Sequence, residues 1–153
     1  MKLGIVLNPH KHLGRLTTIF TGCSATHTVW VDEGRGLMWD MHLIRRRRIW
    51  PHYNPPTEVR FFEFPEVTFE YLEDRLSRDN STYGLRDCAM FALRPFYKFL
   101  GKSPRNAGGV ICSEMCNNDI WACGGRTPWI PGEAPPSPCD LLRWLTHHQS
   151  AVT

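Results

Sequence analysis

Alternation of apolar and polar positions marks the first half of this chain, and helical spacing marks the second. Leu3-Gly4-Ile5-Val6-Leu7, broken at Asn8-Pro9, reads as a short first strand. Leu13 to Thr21 predicts a short helix or turn leading into Gly22-Cys23-Ser24. Thr26 to Val31 is β-branched and aromatic, Asp32-Glu33-Gly34-Arg35-Gly36 supplies a turn, and Leu37 to Ile44 returns. Together they predict a β-hairpin. Glu58 to Phe64 reads as another strand, ended by Pro65. Farther on, Thr68 can cap a helix reaching about Ser77, with Phe69, Leu72 and Leu76 on one face. Asp79 to Thr82 is a loop, and Tyr83 to Leu100 has helical spacing that Pro95 kinks or divides. A glycine turn at Gly108-Gly109 and a short apolar approach then open a helix at Cys112, which stops at Gly124-Gly125. Thr127 to Pro138 is a proline-rich loop or flap, Pro138 starts a final helix, and the tail from His147 is expected to fray. This order predicts an α+β fold, an antiparallel sheet packed against several helices, in a single domain over residues 1–153.

Composition narrows the classes. At 153 residues, 42% apolar and 22% charged, the chain can bury a substantial core and has the balance of an ordinary globular protein. No segment approaches the roughly 20 apolar residues of a membrane-spanning helix. The first ten residues are too short an apolar run for a secretion signal and lack a small-residue cleavage site. A cytoplasmic protein with six reduced cysteines is therefore expected. The net charge of +3 is mild, and much of the positive charge sits in Arg45-Arg46-Arg47-Arg48. That run reads first as a solvated strand end. An anionic or membrane-surface patch is the second reading, and nucleic-acid contact aided by Trp50, His52 and Tyr53 is the third. Four arginines without a wider basic face make weak evidence for nucleic acid.

The residue that carries most chemistry is Cys112. In the first turn of a helix, a thiol meets unpaired backbone N–H groups and the positive end of the helix dipole. Both favour thiolate, the reactive nucleophile. A base and a group to orient it complete such a site. Of seven histidines, His27 opens a strongly predicted strand, whereas His10, His12, His52, His147 and His148 lie in loop-like or terminal stretches. His42 stands two positions from Asp40 on the returning strand. With the hairpin turn near Gly34, Asp40 falls roughly opposite His27 and on the same face. The candidate constellation is Cys112, His27 and Asp40.

Three stretches here resemble the circularly permuted papain-like hydrolases, relatives of bacterial cell-wall endopeptidases and of lecithin–retinol acyltransferase. Phe20 to Val31 resembles the family's small-residue loop, histidine and strand. Leu37-Met38-Trp39-Asp40 resembles the returning strand with its polar third residue, and Val110-Ile111-Cys112-Ser113-Glu114 resembles the start of the nucleophile helix. Tyr83-Gly84-Leu85 and Pro138-Cys139-Asp140-Leu141 resemble flanking segments. Thr28 departs from the aliphatic residue more usual after the histidine. The order and spacing carry the resemblance, which spans roughly Leu13 to Leu145 and not one specific motif. It implies a permuted papain-like domain and a cysteine hydrolase, of peptidase or amidase type, working through an acyl-enzyme on Cys112. No cofactor or metal is implied. Implied substrates are cell-wall peptides, protein amides or isopeptides, and lipid acyl esters.

Blander readings stand beside these. Cys116 and Cys123 are better read as buried packing than as nucleophiles. Ser113 could cap the helix, and Glu114 reads as a helix-start carboxylate. Tyr83 is either a core tyrosine or a pocket hydroxyl, and Trp129, in the proline-rich loop, is the tryptophan expected to touch substrate. Cys112, Cys116, Cys123 and a histidine supply zinc-ligand atoms, but not with the spacing of a zinc knuckle. The alternative of another class is a non-catalytic interaction protein, such as a small viral or bacterial effector, that binds a protein partner through its groove or its arginine run.

Overall fold

The computed structural model describes residues 1–7, 23–41, 44–53, 57–79 and 110–149. Five strands form one antiparallel sheet: β1 (Lys2–Leu7), β2 (Ala25–Asp32), β3 (Leu37–Met41), β4 (Arg45–Ile49) and β5 (Glu58–Glu63). Their order across the sheet is β4-β3-β2-β1-β5. Three helices are described: α1 (Phe69–Arg78), α2 (Cys112–Ala122) and α3 (Pro138–Gln149). The fold is α+β. None of these helices is long and apolar enough to cross a membrane.

Local chemistry explains much of this. Asp32 accepts from the Arg35 N–H at 3.0 Å and Gly36 turns at φ +63°, which closes the β2–β3 hairpin. Thr68 caps α1 by accepting the Tyr71 N–H at 3.2 Å. Ser137 and Asp140 exchange hydrogen bonds of 2.9 and 3.1 Å at the start of α3, each side chain taking the other's backbone N–H. That helix continues to Gln149, so the fraying expected from His147 begins no earlier than the helix end. Ser113 does not cap α2. Its hydroxyl donates to the Pro136 carbonyl at 2.6 Å, and the cap position, Ile111, offers no side-chain bond.

Strand alternation divides the sheet into two faces. Leu3, Ile5, Trp30, Trp39 and Met41 pack on one face against Leu72, Met115, Ile120, Leu141 and Leu145 of the helices. Val6, Val29, Val31 and Met38 form a smaller cluster on the other, with Trp50, Tyr53, Val59 and Phe61 against it. The proline-rich loop is tied along α2 by Ser113, Asn117 and Trp121, which share one helix face. Asn117 Nδ2 donates to the Trp129 carbonyl and Trp121 Nε1 to Thr127 Oγ1, both at 3.0 Å.

Three expectations change. The returning strand ends at Met41, and the arginine run is a separate edge strand, β4, rather than a solvated end. Arg45 is buried. Cys23 and Cys139 are joined by a disulfide with Cα atoms 6.1 Å apart, within ordinary bridging reach, so the six cysteines are not all thiols. Cys123, expected inside, is half-buried at the C-cap of α2. The elements expected over Leu13–Thr21 and Tyr83–Leu100 lie outside the described residues.

Candidate active site

Cys112 is the first residue of α2, and its sulfur faces β2 at Thr28. The helix therefore begins where the sequence placed it, but the electrostatic consequence differs. Burial raises the Cys112 thiol above its ordinary value, opposed by the Thr28 hydroxyl and backbone and by the N–H groups of Ser113 and Cys112. Removing a thiolate from water outweighs the helix-start donors here, so the resting group is a thiol. Cys116, one turn farther along, is raised well above its ordinary value by burial and also faces Thr28.

His27 follows a break in the β1–β2 register: Val6 pairs with His27, whereas Leu7 pairs with Ala25. The bulged residue, Thr26, donates its hydroxyl to the Val6 carbonyl at 3.2 Å. A bulge of this kind re-aims the side chains beside it. Being paired with Val6, His27 belongs to the sheet face opposite the helices, while its neighbour Thr28, paired with Ile5, faces them. Burial lowers the His27 pKa to about 4; Asp40 raises it and Arg46 lowers it further. The imidazole is neutral at pH 7.

Asp40 shares that face. The hairpin pairs Trp30 with Trp39, which sets Asp40 one step on, diagonal to His27 instead of directly opposite. A shift of two residues preserves the face and changes the neighbour. The carboxylate is fully buried and pairs with Arg46 Nε at 3.2 Å and Arg48 Nε at 3.3 Å. His27 and Asp40 are thus brought together on one side, and Cys112 lies against Thr28 on the other.

Tyr53 is a residue that sequence reasoning assigned only to a nucleic-acid surface. Its phenol is pushed up chiefly by burial, then by Asp40 and by Cys112, with Arg46 opposing. Tyr53 packs against Val6, Val29, Val31 and Met38, on the sheet face that carries His27 and Asp40. Asp119 was missed altogether. It accepts from Trp30 Nε1 at 2.9 Å, Tyr71 Oη at 3.1 Å and both Nη atoms of Arg45 at 3.0 Å. An acid two helical turns after Cys112, among Met115, Cys116 and Ile120, was the available signal.

Trp129 is half-buried, its carbonyl held by Asn117 and its ring edge-on to Trp144 at 6.2 Å. It belongs to the junction of the loop with α2 and α3. Tyr83 lies outside the described residues. Among the described residues, no group of three His, Cys, Asp or Glu side chains could hold a metal ion. Comparison with protein-family models, curated proteins and solved structures gives no match.

Proposed function

We propose that this chain is a permuted papain-like cysteine hydrolase that cleaves an amide or ester through an acyl-enzyme on Cys112. The observation that carries the reading is the seat of Cys112. It opens α2 with its sulfur against Thr28, the residue next to His27. The chain order of histidine strand, carboxylate strand and late cysteine helix agrees with it.

The chemistry follows from the resting states. The Cys112 thiol gives its proton to neutral His27 as sulfur attacks the carbonyl carbon. Because His27 and Cys112 sit on opposite faces of β2, this transfer requires the strand start, where the bulge at Thr26 lies, to turn the imidazole toward the thiol. The N–H groups of Cys112 and Ser113, which already face the sulfur, are the donors available to the oxyanion. Collapse of the tetrahedral adduct expels the amine or alcohol, which takes its proton from the His27 imidazolium. Water, deprotonated by His27, then releases the acid and restores the thiol. Asp40 favours the imidazolium, while Arg46 opposes it.

A second reading has its own support. The thiol is raised and the imidazole lowered, both by burial, which is the environment of a scaffold without an activated pair. In that case the chain is an interaction protein. Arg45 and Arg47 are poorly suited to be its cationic surface, since each has its own carboxylate partner, Arg45 in Asp79 and Asp119 and Arg47 in Glu73.

The two readings separate under p-nitrophenyl acetate at pH 7 to 9, with intact-mass and peptide analysis. The hydrolase reading expects a burst of p-nitrophenol and one acetyl group on Cys112, at least about tenfold slower in His27→Ala. Acetylation of Cys112 no faster than that of Cys123 sinks the reading and leaves the interaction protein.

A further inference from the structure

We infer that Arg46 and Arg48 form a binding site for a carboxylate or phosphate group, next to His27 on the sheet face away from the helices. The two residues are separated by one position on an antiparallel strand, so they project to the same side, about 7 Å apart along it. Both bring Nε to the same fully buried carboxylate, Asp40: Arg46 Nε donates to it at 3.2 Å, and Arg48 Nε forms an ion pair with it at 3.3 Å without a hydrogen bond. A guanidinium carries five N–H donors in a rigid fork. In Arg46, Nε is the atom that donates to Asp40, which leaves both Nη groups for another partner.

Arg48 spends one outer nitrogen on His52 Nε2 at 2.8 Å. The two Nη groups of Arg46 and Nη2 of Arg48 have no hydrogen-bond partner among the described residues, and the Arg46 and Arg48 side chains are 40% and 23% exposed. Tyr53 adds a donor, because its hydroxyl is buried and has no hydrogen-bond partner among the described residues. That phenol stands near both Asp40 and Arg46.

Charge balance separates this pair from its neighbours. Arg45 meets two carboxylates, Asp79 and Asp119, and Arg47 meets Glu73. Arg46 and Arg48 share the single carboxylate of Asp40, which leaves one positive charge in excess, with donors arranged in forks. A planar or tetrahedral oxyanion fits such an edge through paired N–H bonds. The anion site stands on this geometry alone. Its assignment to an acidic group of the acyl substrate rests on the hydrolase reading.

The test is a titration of the intact protein with succinate and, separately, inorganic phosphate at 0.15 M sodium chloride. It is followed by the ¹⁵N resonances of the arginine side chains. The expected result is saturable movement of the Arg46 and Arg48 Nε signals, with a Kd below about 1 mM for at least one anion. Arg46→Gln weakens it at least about tenfold, while Arg47→Gln, on the other face, leaves it unchanged. The stronger of the two anions identifies the group recognised. Linear, unsaturated shifts spread over all arginines, or equal binding in Arg46→Gln, overturn the site. Because the wild-type signals report directly, a poorly folded variant does not obscure the outcome. Acetylation of Cys112 in the same samples reads the hydrolase proposal separately, so either can fail alone.

Discussion

Each face of the sheet carries a fully buried aspartate, Asp119 on one and Asp40 on the other, paired with arginine from β4, yet the two pairings are of different kinds. On the helix face, Asp119 receives Arg45, Trp30 and Tyr71 together, and the Arg45 side chain is only 1% exposed. The network joins β2, β4, α1 and α2, so it locks the helix layer to the sheet. On the other face, Asp40 is as deeply buried, but its arginines reach solvent and keep donors in reserve. A buried ionic group that is fully satisfied fixes position, whereas one satisfied from half-exposed partners leaves capacity for a ligand. His27, the candidate base, stands beside the second kind.

The largest expected effect lies in the first network. Arg45→Met leaves Asp119 and Asp79 buried without their shared cation, and it should cost about 3–5 kcal/mol in urea unfolding. A loss below about 1 kcal/mol would remove the contrast between the faces, because such a network would not be sealed from water. Asp40→Asn should cost less, about 1–3 kcal/mol, because Arg46 and Arg48 can turn their charge to water. It should also lower the His27 pKa further, since Asp40 is the charge that raises it.

pH sharpens the same comparison. Because the folded-state His27 pKa, about 4, lies below its ordinary 6.5, the unfolded chain binds the proton more readily between these values. The His27 contribution to stability is full above pH 6.5 and is lost as pH falls toward 4. Unfolding free energies across that window should therefore fall with pH, and His27→Gln should flatten the curve. A ring titration near 6.5 in the folded protein would show that the imidazole is not desolvated. The smallest effect belongs to the exposed rim: Arg47→Gln, which breaks a half-exposed pair with Glu73, should cost about 0.2–1 kcal/mol and vanish in high salt.

Much of the fold was legible in the chain because its signals are local. The β2–β3 turn, the Thr68 cap, the Cys112 helix with its glycine stop and the Pro138 helix start each follow from residues within a few positions. The arginine run was misread for the converse reason. Four consecutive cations look solvated until Asp40 of the neighbouring strand and Glu73, Asp79 and Asp119 from distant segments pair with them. On the same grounds Asp119 was passed over and Tyr53 was assigned only to a nucleic-acid surface: a carboxylate on a helix and a phenol after a strand declare little until their neighbours are known.

The site divides along that line too. Alternation along β2 already placed His27 and Thr28 on opposite faces, and the hairpin put Asp40 on the same side as His27. Only the tertiary structure decided which face the cysteine helix covers, because that depends on where the larger apolar area lies. It also decided the protonation states of Cys112 and His27. Spacing along a chain can bring a thiol to a helix start, but the balance between desolvation and hydrogen bonding exists only once the surrounding atoms have displaced the water.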